Sequence, residues 1–241
     1  MPRFFVEPCD INEQNAVIKG QDAVHIGRSL RMRLGDELTL SCEGRDYRCV
    51  LKTISDEMCT LDVLECCEGG GEPSVELTLY QACPKSDKLE LIVQKAVELG
   101  ASRVVPVLTS RCVSRPDEKS FRKKRERLNK IALEAAKQCG RSIIPEVGEM
   151  MSFEDCAKAL GAHELGLMCY EKGGVPLRGI VPEDAKDIGL FIGSEGGFEE
   201  AEVRKCEENG AKIISLGSRI LRCETAPLAA ISVIMSLTGN I

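Results

Sequence analysis

The stretch CCEGGGEP, Cys66 to Pro73, divides the chain. Three successive glycines closely followed by a proline can continue neither helix nor strand, so the boundary falls there and gives segments 1–72 and 73–241. The two segments differ in texture. Short alternating or β-branched runs spaced by turn residues (ELTLSC, YRCVLKTI, CTLDVLE) predict a small β barrel or sheet before the break. After it, apolar strand candidates (VELTLYQA, RVVPVL, LGLMCY, IGLFIG, KIISLG) alternate with helical periods, the pattern of an α/β domain with a parallel sheet. Ser86 or Asp87 is a candidate cap for KLELIVQKAVEL, which Gly100 closes, and Ser120 for FRKKRERLNKIALEAAKQC, which Gly140 closes.

Composition narrows the function classes. With 241 residues and 43% hydrophobic content the chain can bury a proper core. No apolar window reaches the ~18 residues of a membrane span and no signal peptide is apparent, so a cytoplasmic location is expected. The 13 cysteines are scattered singly, mostly in apolar runs, and read as reduced core thiols. There is no C-x-x-C, and the two histidines, His25 and His163, lie far apart, so no metal is expected. The net charge of −6 conceals a basic stretch: 111–130 carries nine basic and three acidic residues.

Two glycine turns carry the candidate chemistry. In LFIGSEGGFEEAEV an apolar strand meets a turn with Gly193, Gly196 and Gly197 and then a helix, the usual place for a small ligand at the carboxyl edge of a parallel sheet. Glu195 within that turn would repel a phosphate, and no phosphate-binding glycine motif is present. In LGSRILRCETAPLAA, Ile220 and Leu221 are flanked by Arg219 and Arg222 between a strand and an apolar helix. Thr225 is a plausible cap of that helix, and Pro227 is tolerated in its first turn. The combination predicts a cleft that is half apolar and half charged.

Cations that could meet RNA phosphates recur elsewhere. Lys85 and Lys88 flank a helix start, Arg141 follows the closing Gly140, and Arg28, Arg31 and Arg33 cluster before a strand with His25 nearby. A helix through Arg28 and Arg31 would set both on one face. Ordinary solvated side chains are the competing explanation for each.

Six blocks in order, RFF, HIGRSLRMRLGD, KSDKLELIVQKAVELG, EAAKQCGRSIIP, IGSEGGF and LGSRILRCETA, carry a resemblance over nearly the whole chain. It resembles the bacterial 16S ribosomal RNA uridine-N3 methyltransferases of the SPOUT superfamily. The resemblance implies a PUA-like RNA-binding domain over 1–72 and a methyltransferase domain over 73–241 whose C-terminal segment forms a deep trefoil knot. It also implies a homodimer acting on the small ribosomal subunit. S-adenosylmethionine would lie among Leu167, Met168, Ile192, Gly193, Glu195, Gly196, Gly197, Leu216, Gly217, Ile220, Leu221, Arg222 and Thr225. Arg3 would join the RNA-binding cations. Ser194 and Ser218 stand where the family often has proline. Arg222 is the expected cation for the developing uridine anion, with Glu224, a water or a partner-subunit group as proton acceptor. The alternative is a catalytically silent RNA-binding assembly factor of the same fold.

Overall fold

The computed structural model describes residues 1–241, the side chain of Glu118 excepted, and divides into two compact units. The first is Met1–Glu72 with Ala136–Ile144; the second is Pro73–Ala135 with Pro145–Ile241.

In the first unit β1 (Arg3–Phe5), β2 (Asn15–Lys19), β3 (Glu37–Cys42), β4 (Arg45–Ile54) and β5 (Met58–Glu68) form one sheet in the order β1-β3-β4-β5-β2. Period-two alternation decides which face is buried. Leu38 and Leu40 of β3, Cys49 and Leu51 of β4 and Cys59 and Leu61 of β5 point inward and enclose a core with Phe4, Ile18 and Ile26. Each fully buried leucine or isoleucine contributes roughly 1.5–3 kcal/mol relative to exposure.

The segment 136–144, which the sequence boundary leaves with the second domain, belongs to this unit, and two polar clusters explain why. Arg141 is only 3% exposed and its guanidinium donates to Glu72 at 2.6 and 3.1 Å, while the other Glu72 oxygen accepts from the amides of Ser142 and Ile143. Arg3 donates to Asp46 at 2.5 Å, to Ser41 at 2.6 Å and to Ser142 at 3.3 Å. Burial opposes ionisation of Asp46, but the hydrogen bonds from Arg3, Ser41 and Ser142 prevail and hold its carboxyl below the usual range. These two arginines neutralise partly buried carboxylates within the unit, which leaves little of either guanidinium exposed.

The expected helix through Arg28 and Arg31 is also corrected. A short helix α1 (Gln21–Val24) passes into a wide π-type turn over His25–Ser29. Arg31 then adopts φ +52°, a left-handed conformation that ends helical winding, so Arg28 and Arg31 do not share a helical face. Arg28 pairs with Asp56 instead, while His25, Arg31 and Arg33 are exposed.

The second unit is an α/β layer structure. Its strands are β6 (Glu76–Ala82), β7 (Arg103–Leu108), β8 (Glu146–Val147), β9 (Met151–Ser152), β10 (Leu165–Cys169), β11 (Val175–Pro176), β12 (Asp187–Ile192) and β13 (Lys212–Ser215). They pair in the order β11-β13-β10-β12-β6-β7-β8, with β9 also on β7, and every pairing is parallel. Central strands β6 and β12 are buried on both faces, which explains their nearly continuous apolar runs. The helices are α2 (Lys88–Glu98), α3 (Glu118–Cys139), α4 (Phe153–Ala162), α5 (Glu200–Glu208) and α6 (Thr225–Leu237).

Three helix starts refine the capping expectations. Asp87 occupies the N-cap of α2 and Ser86 stands before it at φ +56°. Ser120 lies inside α3, and Asp117 accepts its amide at 2.7 Å. Thr225 is the first residue of α6 rather than its cap, a position held by Glu224. Cys9, Cys66 and Cys67 are exposed, unlike the buried thiols of Cys49, Cys83 and Cys206, which burial pushes up to about 12 and so keeps neutral. His163 is enclosed between Tyr80 at 2.9 Å and Asp187 at 2.7 Å beneath Gly189, where any side chain would strike its ring. Among the described residues no helix is long and apolar enough to cross a membrane.

Candidate functional site

Strands β10, β12 and β13 lie side by side and release their chains at the same edge of the sheet. The loops that follow them, with Lys88 at the start of α2, enclose a cavity of ≈ 490 Å³. That size is usual for a small-molecule site, and its position at the carboxyl edge of parallel strands is the usual one.

Each loop has a physical reason for its shape. The turn after β12 closes by a hydrogen bond from the Gly197 amide to Ser194 O at 3.0 Å, with Gly197 at φ +64°. A side chain on Gly196 would meet Arg111 Cβ at 2.9 Å. Helix α5 then starts with a capping box in which the Glu199 amide donates to Glu202, whose other oxygen accepts from the Ser110 amide. The loop after β13 turns at Gly217, φ +104°, and runs into α6, whose buried Pro227, Ala230 and Ile231 anchor it.

Ten sequence-assigned residues line this cavity: Ile192, Gly193, Glu195, Gly196, Gly197, Leu216, Gly217, Ile220, Leu221 and Arg222. Leu167 and Met168 do not, because both are sealed inside β10 with no exposed surface, and the lining begins one residue later at Cys169. Thr225 is exposed outside the lining; Cys223 and Ala226 take that edge. Tyr170, Glu171, Ser194, Phe198, Ser215 and Ser218 also contribute. Their only sequence signal is adjacency to the strand ends.

Lys88, expected from sequence to meet RNA, lines the cavity. Its Nζ lies 3.0 Å from Glu195 and 3.1 Å from Glu224, so one ammonium joins the two loops. Hydrogen bonds to Glu195 and then Glu224 raise its pKa above the usual amine value. Burial opposes ionisation of Glu195, yet its own amide, Lys88 and the Lys85 amide outweigh that and lower its pKa. Burial likewise opposes ionisation of Glu224, and the Cys223 thiol, its own amide and Lys88 reverse the sign. Both carboxylates are therefore fixed as anions. The Lys85 side chain faces solvent, its amide being the part that meets Glu195 at 3.2 Å.

Two features of the cavity lack partners. The Ser194 hydroxyl is buried, the residue being 7% exposed, and has no hydrogen-bond partner among the described residues. The Arg222 side chain is 84% exposed at the lip, with its nearest carboxylate, Glu224, at 4.0 Å. A buried orphan hydroxyl calls for a polar ligand group, and an extended guanidinium for an anion. Among the described residues no cluster of side chains could hold a metal ion.

Comparison with known proteins places this cavity in context. The RNA methyltransferase domain family matches residues 71–235 and the RNA methyltransferase PUA domain family matches residues 18–64. The chain is 35% identical to the ribosomal RNA small subunit methyltransferase E of Bacillus subtilis, over 97% of this chain and 96% of the relative. It is 31% identical to the protein of that name from Synechocystis, over 98% and 77% of the two chains. The crystal structure of a ribosomal RNA small subunit methyltransferase E from Neisseria gonorrhoeae bound to S-adenosyl methionine superposes with a TM-score of 0.87 at 28% identity, covering 98% of each chain.

Proposed function

The chain belongs to the ribosomal RNA small subunit methyltransferase E family, and on that footing we propose that it methylates N3 of a uridine in 16S ribosomal RNA. S-adenosylmethionine is the methyl donor: it supplies a methyl carbon on a sulfonium and keeps the electron pair of the broken S–C bond. The single observation that carries the reading is the exposed Arg222 guanidinium at the lip of a cavity whose wall combines glycine turns and apolar side chains with the paired charges of Lys88 and Glu195.

The donor set fits that cofactor. Ile220, Leu221, Leu216 and the glycine turns offer apolar and backbone surface to an adenosine, Ser194 a hydroxyl for a polar group, and Glu195 a negative charge that suits a sulfonium. Arg222 stabilises the charge that develops on the uridine oxygens as N3 loses its proton. Glu224 anchors Lys88 and is not the base, because a carboxylate held below its usual range is a weak one. The N3 proton then passes to solvent, and the nitrogen pair forms the new N–C bond.

The contribution of the two carboxylates is fully present above their ordinary 4.5 and lost as pH falls through the lowered folded values. That of Lys88 is present below its ordinary 10.5 and lost as pH rises through the raised value. Affinity for S-adenosylmethionine is therefore expected to stay within about twofold between about pH 6 and about pH 9. Over the same range the single-turnover rate should rise ~10-fold per unit, following the uridine anion. A rate that is flat from pH 6 upward would restore Glu224 as the base.

The reading extends to the architecture. The PUA-like domain over 1–72 closes its strands toward a barrel, and the loops around β12 and β13 form a deep trefoil knot; support comes from the order in which β13 returns beside β10 rather than β12. A homodimer covers α6, which is apolar around its circumference yet leaves Val233 40% exposed, beside α2 with Leu91 44% exposed. A ribosomal substrate implies the cytoplasm. Transfer of labelled methyl to small subunits tests the function.

A further inference from the structure

The segment that leads into helix α3 touches the cavity wall. The Arg111 guanidinium, exposed just before the helix, donates to Gly196 O of the cavity wall at 3.1 Å. Nearly two turns into the helix, the Lys124 ammonium lies 3.5 Å from Ser86 O, next to the Lys85 amide that holds Glu195.

From there Lys119, Lys123, Arg127 and Lys130 recur at i, i+4, i+8 and i+11, one continuous stripe about 16 Å long at 1.5 Å per residue. All four are exposed, and the opposite face, with Phe121, Leu128 and Ala132, anchors the helix in the core. The stripe differs from the Arg125 flank in its neutralisation. Arg125, on another flank, is matched by Glu146 and Glu149 at 3.0 and 2.6 Å. Lys119, Lys123 and Lys130 have no carboxylate partner among the described residues, and only Arg127 has one, Glu90 at 2.8 Å. Glu126 lies on the same face and forms no ion pair with them, and the Asp117 carboxylate is turned to the helix start.

We propose that this α3 stripe, with Arg111, is the track for the phosphate backbone of the RNA whose uridine enters the cavity. A row of four cations, three of them without a carboxylate partner, that continues a segment touching the cavity wall through Arg111 fits a polyanion, and phosphate contacts of this kind set register without reading sequence. The track gives the methyltransferase unit its own hold on the substrate, separate from Arg31 and Arg33 of the first unit. The inference rests on the methyl-transfer reading of the cavity.

The test compares the full-length chain with the triple variant Lys119→Ala, Lys123→Ala, Lys130→Ala. Binding to purified small ribosomal subunits that lack the modification is titrated across salt concentration. Three lost phosphate contacts should weaken binding about tenfold or more and make the log affinity against log salt slope shallower by about two. Affinity for S-adenosylmethionine should not change. The control triple Lys158→Ala, Arg178→Ala, Lys186→Ala removes the same charge from exposed positions elsewhere in the unit and should change subunit binding less than twofold. Wild-type affinity and slope in the α3 triple, or an equal loss in the control, overturns the track. If the wild-type chain binds with the steeper slope but transfers no methyl group, the methyl-transfer reading fails and the track stands. If it transfers and the α3 triple binds unchanged, the reverse holds.

Discussion

Arg222→Ala is expected to lower methyl transfer to ribosomal RNA by ~10²–10³-fold while leaving affinity for S-adenosylmethionine within about twofold. The reason is position. Arg222 stands at the lip with its side chain 84% exposed, so it is not buried against the cavity wall, and the charge it is placed to meet develops only as uridine N3 deprotonates. Removing an interaction made in the transition state reduces turnover without loosening the ground state. Arg222→Lys keeps the charge but loses the planar fork, and should recover only part of the rate. Equal losses in rate and cofactor affinity would make Arg222 a cofactor ligand instead.

A second large effect is expected from Gly197→Val, which should weaken S-adenosylmethionine binding by about 30-fold or more. Gly197 sits at φ +64°, where a β-branched residue is strongly disfavoured, and a new Cβ would lie 2.8 Å from Glu171 Oε1, itself part of the cavity wall. The valine would therefore strain the Ser194–Gly197 turn and displace the Glu171 carboxylate, which lines the cavity. Gly210→Val is the matched control. Gly210 has φ +95° and open space around it, outside the cavity lining, so it carries the backbone strain without the obstruction. Isothermal titration of both variants separates the two contributions. Equal losses would mean that general destabilisation, not cavity shape, sets the affinity.

How much of this was legible in the sequence follows from how local each feature is. The glycine turns and the apolar strands feeding them are contiguous in sequence, and residues such as Gly193, Gly217 and Leu221 line the cavity where the strand–turn–helix pattern places them. Leu167 and Met168 misled because a central parallel strand is buried on both faces, so its apolar pattern does not mark where the cavity begins. Ion pairs between distant residues left no local trace. Arg141 and Glu72 are 69 positions apart, and Lys88 meets Glu195 and Glu224 from the start of α2, so in sequence both cations read equally well as RNA contacts. Basic α3 was ambiguous for the same reason: only the folded chain separates matched Arg125 from the uncompensated Lys119, Lys123 and Lys130.

The central claim is tested most directly by incubating the purified chain with labelled S-adenosylmethionine and small ribosomal subunits from cells that lack its gene, then digesting the ribosomal RNA and resolving its nucleosides by mass spectrometry. The expected result is label in 3-methyluridine at one site of 16S RNA, abolished by Arg222→Ala. Tight binding of subunits and of S-adenosylmethionine with no label transferred, or label found on a ribose hydroxyl or another base, would contradict it.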